Sequence, residues 1–483
     1  MDTEENGGEG SEIWVTPMKI SDSLEMKVKP DLDPDFIPAS LWNQIYRNLT
    51  SQNPDRMPLC IALSRPDNTV SVYETEILPH EGDNVPLNIM YVERLVKFLL
   101  WQKGGSRVII GGNDEITETI KEIYSPEGER SFDYQFMGKR VFREAMVVES
   151  RALDAMPKPR ARVLSFDRNL GGYRIGIDLG GSSRKCAALL EGRVVYSETM
   201  PWNPYFQKDP QYHIKHIRES LRRAAKKLPR VDAIGGSAAG IYVNNEVRVA
   251  SLFRGVSQED FRRYVQNIFC NIEKEWNVPV VIANDGDVAA LASPLNLNAL
   301  LSISMGASMA AGYVDKYGNL TYDLNELAFA PIDYRTDAPA DEWSGDVGCG
   351  VQYFSQQGVE RLLEKAGISF PEDMLLLEKL IEVQNLMEEN DKCVQRIFNT
   401  IGVYLGYAIA HYADFYEIRN VVIMGCVTSG NGGKLMAARA REVLEKEFSD
   451  LARTIRIVLP DENSRQFGQA IAAASLPKIK GGI

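Results

Sequence analysis

The chain has 483 residues, a 44% hydrophobic share and a formal net charge of −12. That length suits about three domains of ordinary size, with enough apolar residues for sizeable cores. The acidic balance argues against a nucleic-acid or anionic-membrane surface. Six cysteines, Cys60, Cys186, Cys270, Cys349, Cys393 and Cys426, are scattered with no CxxC pair. They read as reduced, mostly buried thiols of an intracellular, cytoplasmic protein. No apolar run approaches the roughly 18 residues of a membrane span, and no cleavable signal opens the chain.

In chain order, residues 1–12, with Glu4-Glu5-Asn6-Gly7-Gly8-Glu9-Gly10, read as a disordered acidic tail. Residues 13–156 read as an N-terminal α/β module of unknown role. Leu59 to Leu63 and Val70 to Tyr73 flank Arg65-Pro66-Asp67-Asn68, a hairpin signature. Pro86 to Gln102 reads as an amphipathic helix, with Ile89, Val92, Leu95, Val96, Leu99 and Leu100 at helical spacing. A strand at Arg107 to Gly112 and a helix at Glu115 to Tyr124 follow. This order echoes half of the later fold, and the module is either a degenerate copy of it or an unrelated unit. Residues 1–172 carry 28 acidic against 20 basic side chains, the wrong balance for phosphate contacts. Pro157-Lys158-Pro159-Arg160 reads as the linker into the remainder.

The most informative stretch is Asp178-Leu179-Gly180-Gly181-Ser182-Ser183, between two apolar runs. It reads as strand, glycine turn, strand. Backbone N–H groups of such a turn can surround phosphate oxygens, since no Cβ stands in the way at Gly180 or Gly181. Asp178 supplies a carboxylate for Mg²⁺ or its water shell. Neither a P-loop nor a dinucleotide fingerprint fits, because a strand and not a helix follows the glycines. Downstream, Val280 to Ala283 is a strand ending in Asn284-Asp285-Gly286-Asp287, with a helix from Val288. Leu300 to Met305 is a strand running into Gly306-Ala307-Ser308-Met309-Ala310-Ala311-Gly312. Asn420 to Met424 is a strand closed by Gly425, with a helix after Gly432-Gly433. Phosphate-cradling turns at strand ends with a carboxylate between them suit phosphoryl transfer from a nucleotide.

Over residues 165 to 480 this order resembles the actin-like ATPase (ASKHA) superfamily, and within it the ROK family of sugar kinases and regulators. Asp178 to Ser182 is similar to the first phosphate motif, Asp232 to Gly240 to the next strand and turn, and Asn284-Asp285 to the sugar and catalytic pair. Gly306 to Gly312 is similar to the second phosphate motif, Val421 to Gly425 to the adenosine motif, and Gly468 to Ala474 to the closing helix. The resemblance implies an α/β, two-lobed actin-like ATPase (RNase H-like) fold with lobes over 165–290 and 291–483. It implies a Mg²⁺- and ATP-dependent kinase for a sugar or polyol, with room for a homo-oligomer. The alternatives are a non-catalytic sugar sensor or regulator, and an ATPase acting on a protein partner.

By that resemblance Asp285 is the general base. Asp178, Gly180, Gly181, Ser182, Ser183, Gly306, Ala307, Ser308 and Gly425 hold the nucleotide and its Mg²⁺, and Asn284, Glu326 and Gly240 meet the acceptor. Competing readings stand beside these. Asp285 could cap the following helix, a role Asp287 fits better; Asn284 could close an Asx turn; Glu326 could be a solvated loop charge. His213 and His216 share a helix face and read as surface residues. Trp202-Asn203-Pro204-Tyr205-Phe206 suits either sugar stacking or packing at a domain edge. The chain also departs from the family. Glu326-Leu327-Ala328-Phe329 stands where the family has Glu-Leu-Gly-His. The cysteine-rich zinc signature is reduced to Gly348-Cys349-Gly350-Val351-Gln352-Tyr353, with Val351 at the sugar-binding Glu. One cysteine cannot build a four-ligand zinc site, so a zinc-free loop is expected.

Overall fold

A computed structural model describes residues 20, 23–161, 170–292, 297–460 and 467–479. The tail expected at 1–12 lies outside the described residues. Among these residues no helix is long and apolar enough to cross a membrane.

The first sheet has the order β2-β1-β3-β4, built from β1 (Met57–Ser64), β2 (Val70–Ile77), β3 (Arg107–Gly111) and β4 (Val147–Arg151). The hairpin forms where its turn residues put it, with Ser64 opposite Val70 and Asn68 in the left-handed region at φ 62°. The helix expected at 86–102 is Asn84–Lys103, but it is not amphipathic, since every residue from Leu87 to Gln102 is buried. Its charged face is covered by partners: Glu93 accepts from Arg130 at 2.7 Å, and Lys97 donates to Asp133 at 2.8 Å and to Asp346 at 2.6 Å. Paired charges can be buried where single ones cannot. The periodicity therefore found the helix and missed its second neighbour.

The second sheet has the order β11-β8-β5-β6-β7, from β5 (Tyr173–Leu179), β6 (Ser183–Leu190), β7 (Arg193–Pro201), β8 (Ala233–Ala238) and β11 (Val280–Asn284). Short strands β9 (Ile241–Val243) and β10 (Glu246–Val249) form a separate hairpin. A third sheet has the order β13-β12-β14-β15, from β12 (Leu300–Met305), β13 (Met309–Val314), β14 (Asn420–Met424) and β15 (Arg456–Val458). In each of these two sheets an antiparallel hairpin leads into parallel neighbours: β5–β6 with β5–β8, and β12–β13 with β12–β14. The N-terminal sheet breaks that rule, because β1 and β3 are antiparallel. The module is therefore not a copy of the lobes.

Two helices join the lobes. Asp285–Leu291 follows β11 yet packs on the third sheet, where a Cβ at Gly286 would lie 2.2 Å from the Ala311 carbonyl oxygen. Gly468–Ala474 returns to the second sheet, where a Cβ at Gly176 or Gly235 would lie 1.7 Å from the Ala470 or Ala473 carbonyl oxygen. Only glycine permits that approach.

The module and the third sheet share one hydrophobic core, including Trp42, Phe98, Trp101, Phe329, Tyr404 and Val421. The second sheet has its own, around Ile175, Ile177, Ile217 and Phe269. A segment ahead of the first sheet straps across the second lobe through Asp33. Its buried carboxylate meets Arg335, Arg361, Lys365 and Tyr404, and these partners hold it well below the usual carboxylate range despite its burial. The linker expected at 157–160 lies against the module, where Arg160 pairs with Val70 across β2.

Candidate active site

Parallel pairing brings the chemistry to one edge. Asp178 lies opposite Ser237, Leu179 opposite Ala238, and Ala238 opposite Asn284, so three strand ends align. Ser237 Oγ donates to Asp178 Oδ1 at 3.0 Å, and Lys185 Nζ approaches Oδ2 at 3.4 Å. Burial still pushes the Asp178 carboxyl up, against the pull of Lys185 and Ser237. Sequence reasoning missed Lys185 and Ser237. Strand alternation across β6 and β8 could have found them, because both occupy register positions directly opposite Asp178.

Asn284 and Asp285 sit where β11 gives way to the helix. That helix starts three residues earlier than expected, and its N-cap is Asn284, whose Oδ1 accepts from Gly286 N at 2.7 Å. Asp285 Oδ1 also accepts from Gly286 N, at 3.0 Å. The cap role does not fall to Asp287. Its carboxylate is buried and accepts from Asn325 Nδ2 at 3.0 Å and Tyr313 N at 3.3 Å, stapling the helix to the second lobe. Asn284 Nδ2 reaches Gly240 O at 2.9 Å and Glu326 Oε1 at 3.5 Å. Gly240 has φ 128°, and a Cβ there would lie 2.3 Å from Val249 O. The acceptor-side candidates Asn284, Gly240 and Glu326 therefore stand together beside Asp285.

Asp285 and Glu326 are partly open to solvent yet enclosed by protein on most sides. Enclosure, with the Asp178 charge nearby, pushes Asp285 up to about 6. Enclosure and repulsion from Asp285 and Asp287 push Glu326 up to about 8. Asp287 is pushed up to about 7, mainly by burial. At neutral pH Asp285 is therefore largely ionised while Glu326 is largely protonated, so one can accept a proton and the other can donate a hydrogen bond.

The glycine turns differ in their surroundings. A Cβ at Gly180 would meet only Ser183 O, at 3.2 Å, and one at Gly306 only Ser308 O, at 3.6 Å, so both turns have open space beside them. Ser182, Ala307 and Ser308 are exposed, and Ser183 is half-buried. The second turn is shorter than expected: β13 begins at Met309, and Gly312 is a strand residue against Gly286. Gly425, at φ 100°, closes β14 against Met305 O, which a Cβ would approach to 2.3 Å. It thus abuts the strand that delivers Gly306.

Gly181 is covered. A Cβ there would lie 2.0 Å from the Tyr205 hydroxyl, and Trp202 Nε1 donates to Gly180 O at 2.7 Å. The aromatic run at 202–206 thus braces the first glycine turn. His213, expected at the surface, is fully buried, with Nε2 facing the Pro204 and Leu252 carbonyls at 3.0 and 2.9 Å. Burial lowers its pKa, which keeps the ring neutral. His216 meets Glu219 at 3.2 Å.

The loop after Glu326 is packed by aromatic rings. Phe329 stacks on Trp101 at 4.3 Å, and Trp343 meets Phe329, Phe132 and Phe136 at 5.5 Å each. Cys349 is buried, its Sγ 3.5 Å from Phe329 O, and burial pushes the thiol up to about 12. Among the described residues no group of three His, Cys, Asp or Glu side chains is arranged to hold a metal ion.

No family model matches the chain. A curated glucokinase from Halalkalibacterium halodurans is 24% identical over 276 residues, covering 53% of this chain and 81% of the relative. The ROK hexokinase of Thermus thermophilus aligns with 63% of this chain and 98% of its own, at 18% identity and a TM-score of 0.49. A ROK family transcriptional regulator aligns with 64% of this chain and 79% of its own, also at 18% identity and 0.49. The described residues form a mixed α/β fold with three sheets of four or five strands. The chain is similar to sugar kinases, ROK members among them, and to a ROK regulator.

Proposed function

We propose that the protein is an ATP-dependent carbohydrate kinase of the ROK type, with lobes over 165–290 and 291–483 and a fused module over 13–156. The observation that carries this reading is the meeting of Asp178, Asp285 and Glu326 at one edge, beside glycine turns with open space. Asp285 takes the proton of the attacking hydroxyl. Its raised pKa, about 6, makes it a better base than an ordinary carboxylate while leaving it ionised at pH 7. Asn284, and Glu326 in its protonated form, hydrogen-bond the acceptor and orient the hydroxyl toward Asp285. Amides of the turns at Gly180–Ser183 and Gly306–Ser308 hold the phosphates, and Gly425, at the end of β14, lies beside the adenosine.

Asp178 is the carboxylate that would hold Mg²⁺, through its water shell. The residues fit such an ion. Asp178 and Asp285 repel one another, and among the described residues Lys185, 3.4 Å from Asp178 Oδ2, is the one cation in an ion pair with either. When bound with the nucleotide, the ion supplies neutralisation of phosphate charge. Closure of the lobes excludes water from the transfer.

A thermal-shift screen of sugars and polyols with Mg²⁺ and a non-hydrolysable ATP analogue, followed by product analysis, tests the reading. Stabilisation by one acceptor class together with a phosphorylated product is expected. Acceptor binding without product under any condition would point to the sensor reading instead. ATP hydrolysis indifferent to every acceptor would point to an ATPase serving a protein partner.

A further inference from the structure

The N-terminal module does not merely sit beside the second lobe; it ends on the acceptor site. The last turn of a helix leaves carbonyls without partners inside the helix. In Asn84–Lys103 two of these are answered from Glu326 and its neighbour: Glu326 N donates to Trp101 O, and Asn325 N to Gln102 O, each at 3.0 Å. The helix end and the acceptor segment satisfy each other's backbone. Around them the module grips the preceding residues. Lys103 Nζ reaches Asp323 Oδ2 at 2.8 Å, Arg65 approaches Asp323 Oδ1 at 3.9 Å, and Arg65 donates to Tyr322 O at 2.7 Å. On the far side, Trp101 stacks on Phe329.

The gripped segment holds an unfavourable backbone. Tyr322 at φ 55° and Asn325 at φ 52° are both left-handed without being glycine. Such conformations persist where the surroundings over-determine them, and they cluster where geometry serves function. Asn325 is also the residue that binds Asp287, and Tyr416 fixes its orientation with a hydrogen bond at 2.9 Å. The placement of Glu326 thus depends on contacts from a unit some 200 positions away in sequence.

We infer that the helix Asn84–Lys103, with Arg65, is a positioning element of the acceptor site: it fixes residues 322–326 and thereby sets where the Glu326 carboxyl meets the substrate. Among the described residues no hydrogen bond or ion pair joins it to the nucleotide turns at Gly180 and Gly306. Loosening the grip therefore acts on acceptor recognition and spares nucleotide recognition. This inference rests on the kinase reading above.

The experiment uses the full chain and the best acceptor among D-glucose, D-mannose, D-fructose and glycerol. Arg65→Met combined with Lys103→Met removes both cations from Asp323. The acceptor KM should rise by about tenfold or more, since small misplacements of a binding group are costly, while the ATP KM stays within about twofold. Arg65→Lys with Lys103→Arg should restore the acceptor KM. Asp323→Asn, which removes the shared partner instead, should reproduce the split if the double variant does not fold. An unchanged acceptor KM, or acceptor and ATP KM rising together with a fall in Tm, would overturn the inference. Wild-type protein that neither binds nor phosphorylates any of the four would overturn the kinase reading, and this inference with it.

Discussion

Asp285, Asp287 and Glu326 are three carboxyls within a few residues of one another in space, and their surroundings give them different work. Asp287 accepts from Asn325 and the Tyr313 amide, Glu326 is pushed highest, and Asp285, beside the Asp178 charge, has the lowest pKa of the three. An Asp285 base must be ionised, so kcat should fall as pH drops through about 6, and a pH profile on the best acceptor checks this. Stability should move the other way. All three groups have folded pKa values above their unfolded ones, so the native state binds more protons between about pH 4 and 8. Below about pH 6.5 the buried His213 and His411, whose pKa values are lowered, act in the opposite sense. From about pH 6.5 to 8 the carboxyls act alone among these groups, so the Tm of the ligand-free protein should decline there, and Glu326→Gln should flatten the decline. Asp33 does not interfere: its pKa is lowered, so its contribution is lost only on acidification below about pH 4. A Tm rising from about pH 6.5 to 8 would contradict the assignment of raised pKa values. Asp178 carries a separate expectation. Asp178→Ala should weaken Mg²⁺-dependent nucleotide binding, read by titration calorimetry, with little change in binding without the ion.

Among the elements, the two helices between the lobes and the helix Asn84–Lys103 do most of the positioning. Gly176 and Gly235 exist for the closing helix. Gly176→Ala would place a Cβ 1.7 Å from the Ala470 carbonyl, so the helix Gly468–Ala474 must shift. Overpacking typically costs about 1–3 kcal/mol, and a lower Tm together with reduced turnover is expected, because Gln469 on that helix donates to the Asp285 carbonyl at 3.1 Å. A variant as stable as wild type would contradict the close packing. These elements also show what the sequence reveals. The strands carrying Asp178 and Asn284 were legible because apolar runs end in glycine and carboxylate punctuation. Lys185, across the hairpin from Asp178, was within reach of that pattern, whereas Ser237 depends on register with a strand 59 positions away. Helix Asn84–Lys103 was legible in extent but not in burial. Its apolar face matched a one-sided pattern, while the pairs made by Glu93 and Lys97 with residues 130, 133 and 346 lie beyond any local window. His213 was misplaced for the same reason: its carbonyl partners come from other segments.

At the scale of the molecule, the N-terminal module packs against the loop after Glu326, where the sequence leads one to expect no zinc site. Phe329 stacks on Trp101, and Lys97 and Arg130 pair with Asp346 in the same loop. Elemental analysis of purified protein should give no stoichiometric zinc; one zinc per chain, lost in Cys349→Ser, would contradict this. Trp101→Ala should lower Tm by removing a large buried ring, a loss typically of about 3–5 kcal/mol. The central claim is that this fold still transfers phosphoryl groups through Asp285. Steady-state turnover of Asp285→Asn against wild type on the best acceptor tests it most directly. The substitution preserves shape but removes the proton acceptor, so kcat should fall by at least about 10²-fold with acceptor and nucleotide affinities little changed. Turnover preserved in Asp285→Asn would contradict the account.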